Sequence, residues 1–331
     1  METYIKAKLV NWRRINVIVF TDIPRPNTLK VSLYKNDKVI KTYQISKLQS
    51  TNIVYFFDVS LDEDYELGAP YRLLVDTLPS ILVDTTGVVN FHDFDDRYFY
   101  NGDDLGSIYN KKETTFAVWA PVAEFVNLKL ISPNNEERII PMKRSDKGVY
   151  RLAIKEDLLN YKYHYIVNNN GVITEANDPY AKGTSLNSEY SVVIDYQSLL
   201  KKPRIKPQTA FKNYVDALIY ETHIRDINEG NNNDVVNKGK YLGFIEEGRK
   251  TTGGHPAGLD YIKYLGVTHV QIQPIHDFDS LDDIDTKKWY NWGYDPISYF
   301  ALEGSYSVKP EDAISRLFEF REWWTLYIKT I

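Results

Sequence analysis

Hydrophobic and polar positions alternate in short runs through the first part of the chain and then change period. VSLYKNDKVIKTYQI (31–45) places apolar residues at alternate positions on both sides of Asn36 and Asp37, which predicts two strands joined at that pair. NIVYFFDVS (52–60) and YRLLVDTLPSILVDTTGVV (71–89) continue the alternation, and no stretch here carries the stripe of a long amphipathic helix. The runs predict a β-sandwich over residues 1–95. FHDFDDRYFYNGDDLG (91–106) interrupts the rhythm with acidic residues, Gly102 and Gly106, and reads as a domain junction. A second strand series follows in TTFAVWAP (114–121), FVNLKLIS (125–132), ERIIPMKR (137–144), GVYRLAI (148–154) and YKYHYIVNNNGVITEA (161–176). Its spacing predicts a second, immunoglobulin-like sandwich over 97–197. NDPYAKGTSLNSEYSVVID (177–195) then turns to Asn, Ser, Gly and Pro, and residues 198–215 read as a linker.

From residue 216 the period changes. DALIYETHI (216–224) is a compact strand pattern. HPAGLDYIKYLG (255–266) carries Leu259, Ile262 and Leu265 at helical spacing, closed by Gly266, and VTHVQIQPI (267–275) is a second strand. KPEDAISRLFEFREW (309–323) has Pro310 at an expected first-turn position, with Glu311 and Asp312 beside it. An apolar stripe of Ala313, Leu317, Phe320 and Trp324 follows. Strand, helix, strand, helix is the βαβ rhythm of a parallel sheet, so residues 216–331 are expected to form a separate domain.

Composition narrows the partners. Hydrophobic content of 43% and charged content of 26% are ordinary for a globular protein, and 331 residues suffice for two or three domains. A net charge of -5 without a long basic cluster argues against nucleic acid. No apolar run is long enough for a membrane span, and the first residues lack the charge and apolar pattern of a secretory signal. Without cysteine there is neither a disulfide framework nor thiolate chemistry, and cytoplasm is the expected compartment. The 26 tyrosines exceed the 14 phenylalanines and 6 tryptophans. A β-rich fold accounts for them, and a wet binding surface would use them too.

Candidate chemistry is concentrated near YNWGYDP (290–296), where Tyr290, Trp292 and Tyr294 stand with Gly293, Asp295 and Pro296. Rings beside a carboxylate suit a flat hydroxylated ligand, and they suit a packed turn equally. The acidic run HDFDSLDDIDTKK (276–288) fails the calcium-loop pattern, with Asp282 where glycine is needed and Lys288 where glutamate is needed. It reads as a solvated loop. His92, His164, His223, His255, His269 and His276 show no paired metal-ligand spacing; His269 and His276 flank the second strand. NEGNNNDVVNKGKYLG (228–243) has no phosphate-loop pattern.

These motifs resemble the type I pullulanases of the α-amylase clan, glycoside hydrolase family 13. TTFAVWAPVAEFVNLKL resembles the start of the family-48 carbohydrate-binding-like sandwich that precedes α-glucan debranching enzymes. ALIYETHIRDIN and HPAGLDYIKYLGVTHVQIQPIHDF resemble the first strand, first helix and second strand of their barrel, and YNWGYDP resembles their signature. The fold implied is multidomain: two N-terminal immunoglobulin-like β-sandwiches followed by the first βα units of an incomplete TIM (β/α)8 barrel. The activity implied is retaining hydrolysis of α-1,6-glucosidic linkages in pullulan, glycogen or limit dextrins. The partner is an α-glucan polysaccharide or oligosaccharide, and no dissociable cofactor is implied.

By the same resemblance Tyr294 would stack under the glucose at the cleavage point and Asp295 would hold its hydroxyls. Tyr290 and Trp292 would serve as scaffold or outer subsites, Gly293 would permit close approach, and Pro296 would stiffen the turn. Trp119 reads as core rather than glucan platform. Retaining hydrolysis needs two carboxyl groups about 5 Å apart. In the family they follow later strands, and 115 residues from Ala217 to Ile331 fall short of the roughly 250 of a whole barrel. No catalytic residue is therefore assigned, the chain alone is expected to be inactive, and the edges of its small parallel sheet are expected to stay unpaired. REWWTLYIKTI (321–331) departs from the family's continuation, with Trp323 and Trp324 expected at a helix end. An α-glucan-binding protein without catalysis, or a sister enzyme such as an isoamylase or branching enzyme, is the alternative.

Overall fold

The computed structural model describes residues 4–21, 27–46, 48–51, 54–200 and 213–330. The first unit holds β1 (Tyr4–Asn11), β2 (Arg14–Phe20), β3 (Leu29–Lys35), β4 (Lys38–Ile45), β5 (Gln49–Ser50), β6 (Val54–Ser60), β7 (Tyr71–Val75) and β8 (Ile81–Leu82). They form two antiparallel sheets, in the orders β1-β2-β6-β5 and β4-β3-β7-β8. Alternation turns Ile15, Val17 and Val19 of one sheet toward Val31, Leu33, Leu73 and Val75 of the other, closing one core. Asn36 and Asp37 make the β3–β4 turn at φ +48° and +61°, which suits a two-residue hairpin.

The expected junction at 91–106 is partly folded onto this unit. Helix α1 (Phe94–Tyr98) buries Phe94 in the first core, and Asp93 accepts a 2.6 Å hydrogen bond from the Trp12 indole. The seam continues at Trp119, whose Nε1 donates to Tyr98 O at 2.9 Å and Lys147 O at 3.1 Å. Trp119 is half-buried against the first core, so it belongs to neither the interior of its own sandwich nor an open platform.

The second unit holds β9 (Gly106–Asn110), β10 (Glu113–Trp119), β11 (Phe125–Ile131), β12 (Glu137–Pro141), β13 (Lys143–Arg144), β14 (Val149–Ile154), β15 (Lys162–Asn169), β16 (Val172–Ala176) and β17 (Ser191–Val192). One sheet runs β13-β14-β10-β9 and the other β12-β11-β15-β16, with β17 also on β15. Phe116, Val118, Leu128, Leu130, Tyr163 and Tyr165 fill the space between them. Both units are thus antiparallel sandwiches, as the alternation predicts. Helix α2 (Tyr196–Leu200) follows; of the expected linker, residues 201–212 lie outside the described residues.

The last unit contains β18 (Ile219–Thr222), α3 (Tyr241–Phe244), α4 (Leu259–Leu265), β19 (His269–Ile272), β20 (His276–Phe278), β21 (Pro296–Leu302) and α5 (Ala313–Thr330). Strands β18 and β19 pair in parallel, from Ile219 opposite His269 to Thr222 opposite Ile272, and among the described residues neither pairs with another strand. Leu259 and Ile262 are buried, and Gly266 ends α4 in the left-handed conformation at φ +66°. The antiparallel pair β20–β21 has no counterpart in the expected pattern.

Helix α5 departs from expectation in three ways. Pro310 lies before the helix, and Asp312 caps it, accepting from Ile314 N at 3.2 Å and Ser315 Oγ at 2.8 Å. Among the helix residues whose burial is described, the buried positions are Ala313, Arg316, Glu319 and Trp323, while Trp324 of the expected stripe is exposed. Trp323 and Trp324 lie inside the helix, which runs on to Thr330.

Candidate functional site

The loop 279–295 leaves β20 and returns into β21. Its base is closed where Phe278 stands opposite Pro296 and Asp279 N donates to Asp295 O at 3.2 Å. Asn291 organises the turn: its Nδ2 donates to Asp279 O at 2.6 Å and to Asp295 Oδ1 at 2.8 Å, and its Oδ1 accepts from Gly293 N at 2.9 Å. Gly293 has φ +84°, and a Cβ there would lie 3.0 Å from Pro274 O and 3.1 Å from the Phe278 ring. Backbone packed this tightly leaves the neighbouring rings to point outward. Trp292 is 63% and Tyr294 65% exposed.

Tyr290 faces the segment that follows β18. Its hydroxyl donates to Asp226 Oδ2 at 2.7 Å, and the Arg225 guanidinium lies 5.4 Å from its ring centre. Burial, then the bond to Asp226, raises the Tyr290 pKa, so the phenol stays protonated. Arg225 also donates to Trp289 O at 2.9 Å. Behind this pair, His223 Nδ1 accepts from Arg225 N at 3.1 Å. The neutral ring therefore carries its proton on Nε2, which meets the Tyr306 hydroxyl at 2.8 Å. Burial lowers the His223 pKa and favours that neutral form. The segments following the C-terminal ends of β18 and β19 thus converge on Tyr290, and Tyr294, Asp295 and Trp292 share its loop.

The acidic run 276–288 is not the solvated loop its composition suggests. Asp277 and Asp283 are buried because α5 inserts Arg316 between them, 3.5 Å from Asp277 Oδ1 and 3.1 Å from Asp283 Oδ2. The second sandwich supplies further donors: Thr184 and Ser188 hydroxyls to Asp277, and Asn187 N to Asp283 at 2.9 Å. Glu303 beside them accepts from Phe278 N and Ser305 N; burial and the nearby Asp277 and Asp283 raise its pKa. This cluster is a fastening between units, with Arg316 supplying the charge that neutralises the carboxylates. His276 lies against Tyr299 at 5.9 Å between ring centres, and the His269 ring is bonded to Thr268 Oγ1 at 2.8 Å.

The site is a rigid loop that presents aromatic faces beside Asp295. Such a surface can stack on the C–H face of a pyranose and take hydrogen bonds from its hydroxyls. The sequence pattern pointed to the rings but not to Arg225, Asp226 or His223, which sit in ETHIRDIN (221–228) as ordinary polar residues. The available signal was their position immediately after a strand of a βαβ unit.

A profile of the Carbohydrate-binding module 48 (Isoamylase N-terminal domain) family matches residues 104–181, within the second sandwich. Pullulanase of Bacillus subtilis (strain 168) is 41% identical over 229 residues, which cover 69% of this chain and 31% of that protein. The crystal structure of a pullulanase from Anoxybacillus sp. LM18-11 complexed with maltotriose superposes with a TM-score of 0.92 at 33% identity, covering 99% of this chain and 47% of that one. Pullulanase type I from Bacillus subtilis str. 168, complexed with maltose, gives a TM-score of 0.85 at 32% identity, covering 100% and 46%. The chain therefore spans about a third of the curated relative and about half of each solved structure.

Proposed function

We propose that this chain, which matches the N-terminal part of type I pullulanases in sequence and fold, serves an α-glucan debranching glycoside hydrolase. The parent reaction in this reading is retaining hydrolysis of α-1,6-glucosidic linkages in pullulan, glycogen or limit dextrins. Residues 1–95 and 97–197 would be the sandwich domains, 198–215 the linker, and 216–331 the first βα units of a (β/α)8 barrel. The parallel pairing of β18 with β19, with α4 between them in the chain, supports that last assignment. The second sandwich would hold α-glucan chains, in keeping with the module match at 104–181.

The observation that carries the reading is the 290–296 loop. Gly293 and Asn291 fix its backbone, Tyr294 and Trp292 are turned outward, and both parallel strands lead into it. In this reading Tyr294 stacks on the glucose at the cleavage point and Asp295 accepts hydrogen bonds from its hydroxyls. Tyr290, pinned by Asp226, shapes the adjoining wall, and Trp292 extends the surface to an outer subsite. Chemistry would come from carboxylates on strands beyond β19, which hold the sugar from opposite faces.

The test joins this chain to the remaining barrel of the Bacillus subtilis pullulanase and assays reducing ends released from pullulan. Tyr294→Ala is expected to lower kcat/KM by at least tenfold and Asp295→Asn to impair it as well, with the chain alone releasing none. Near-normal kinetics in both variants would make the loop scaffold. Turnover by the chain alone, above a heat-inactivated control, would overturn the division of labour.

A further inference from the structure

The segment after β18 and the segment leading into α4 enclose a cleft of about 450 Å³ lined by Ile227, Asn232, Thr251, His255, Tyr261 and Tyr264, among others. It shares no residue with the 290–296 loop or with the groups that hold that loop. The rims are fastened by backbone: Asn233 bridges to Thr251, Lys250 to Pro256, and Thr252 N donates to Asn232 O at 2.8 Å. The concavity is therefore preformed, and its volume lies in the roughly 300–1,000 Å³ range of small-molecule sites.

Its chemistry selects a class of ligand. Apart from His255, no lining side chain can carry a charge near neutral pH, so phosphates and carboxylates find no counter-ion. The Tyr261 and Tyr264 hydroxyls, the Asn232 amide nitrogen and the His255 ring have no hydrogen-bond partner among the described residues. Two phenol rings with unengaged neutral donors and acceptors match a pyranose, which offers apolar C–H faces and a rim of hydroxyls. We propose that this cleft is an accessory site for a short neutral α-glucan, distinct from the 290–296 loop. The proposal rests on the glucan reading above.

The experiment titrates the full chain with maltotetraose by calorimetry, comparing wild type with Tyr264→Ala, Tyr264→Phe, Tyr294→Ala and the Tyr264→Ala/Tyr294→Ala double variant. Tyr264 is 77% exposed, so its replacement leaves the fold intact, which a thermal melt verifies. Tyr264→Ala is expected to weaken one class of site about tenfold, equivalent to about 1.4 kcal/mol. Tyr264→Phe, which keeps the ring, is expected to retain it, and the loss is expected to add to that of Tyr294→Ala. Unchanged binding in Tyr264→Ala with a loss in Tyr294→Ala would overturn the accessory site while leaving the glucan reading standing. Absence of binding in every form would overturn both. A change confined to self-association in Tyr264→Ala would assign the cleft to a protein contact and overturn the proposal.

Discussion

Gly293 sets the path of the 290–296 loop, its N–H held by Asn291 Oδ1 at 2.9 Å and its backbone packed on Pro274 and Phe278. Its φ of +84° strains any side chain, and a Cβ would lie 3.0 Å from the Pro274 carbonyl, so the Pro274 backbone would have to give by a few tenths of an ångström. Gly293→Ala is expected to cost roughly 1–3 kcal/mol, read as a lower melting temperature, with Tyr294 displaced from its outward pose. Asp178 makes a different kind of prediction. It is buried in the second sandwich, accepts hydrogen bonds from the Tyr163 hydroxyl at 2.8 Å and the Tyr165 hydroxyl at 3.3 Å, and burial pushes its pKa up to about 6. The folded state thus binds this proton more tightly than the unfolded chain, whose carboxyl titrates near 3.8. Its contribution is fully present below that pH and is lost as pH rises to about 6, a change on the order of 3 kcal/mol. Melts of wild type and Asp178→Asn between pH 4 and 7 should converge toward the acid end or differ by a fixed offset plus this slope; parallel curves would refute the assignment. The β3–β4 turn was legible at Asn36 and Asp37 because their types carry it, whereas the residue types of YNWGYDP suit a packed turn and an open surface equally, and only the structure turns Trp292 and Tyr294 outward. Asp178 was not legible, since a lone aspartate before proline reads as a turn until its two tyrosine partners are seen.

At the scale of elements, legibility followed periodicity. The hairpin β3–β4 and helix α4 were readable because alternation, helical spacing and a closing glycine agree with the conformations adopted. Strand β21 was not, because PISYFAL buries only its third and sixth residues fully and leaves aromatic rings outside. That pattern lacks the period of two that marks a half-buried strand. Helix α5 was readable in part: Ala313, Leu317 and Phe320 of the apolar stripe pack inward, but Trp324 is exposed, and the inward face also takes in Arg316 and Glu319, which no apolar stripe marks. Glu319 is satisfied by Ser307 Oγ at 2.7 Å and Val308 N at 3.0 Å, just before the helix, whereas Arg316 reaches Ser185 O at 3.2 Å and Asp283 Oδ2 at 3.1 Å, partners that no helical window contains. The cap, by contrast, is local. Asp312→Ala is expected to cost about 0.5–2 kcal/mol, seen as a lowered melting temperature, whereas Glu311→Ala, outside the helix, should change it little.

At the scale of the whole molecule, each unit keeps its own core, and the units are joined by polar fastenings together with small apolar contacts, such as Val192 and Ile194 against Ala313. Trp119 and the Thr85–Asn170 pair bridge the two sandwiches, and Arg316 binds the last unit to the 184–188 segment of the second. A fully buried guanidinium facing Asp277 and Asp283 is a fastening whose loss leaves two buried carboxylates without their counter-charge, held only by neutral donors. Arg316→Ala is expected to destabilise the last unit by about 3–5 kcal/mol while leaving the sandwiches folded. Limited proteolysis should then cut within 213–330 well before either sandwich, and earlier than in the wild type. The carboxylates themselves supply a control on the cause. Burial already raises the Asp277 pKa, and with the opposing guanidinium gone it should rise further, so acidification neutralises the stranded charge. Arg316→Ala should therefore recover part of its resistance to cleavage on moving from pH 8 to pH 5, with an acid-active protease at the lower pH and the wild type as reference at each. A deficit equal at both pH values would mean that Arg316 acts through its packing volume, and the fastening would have to be sought in the apolar contacts of α5 instead.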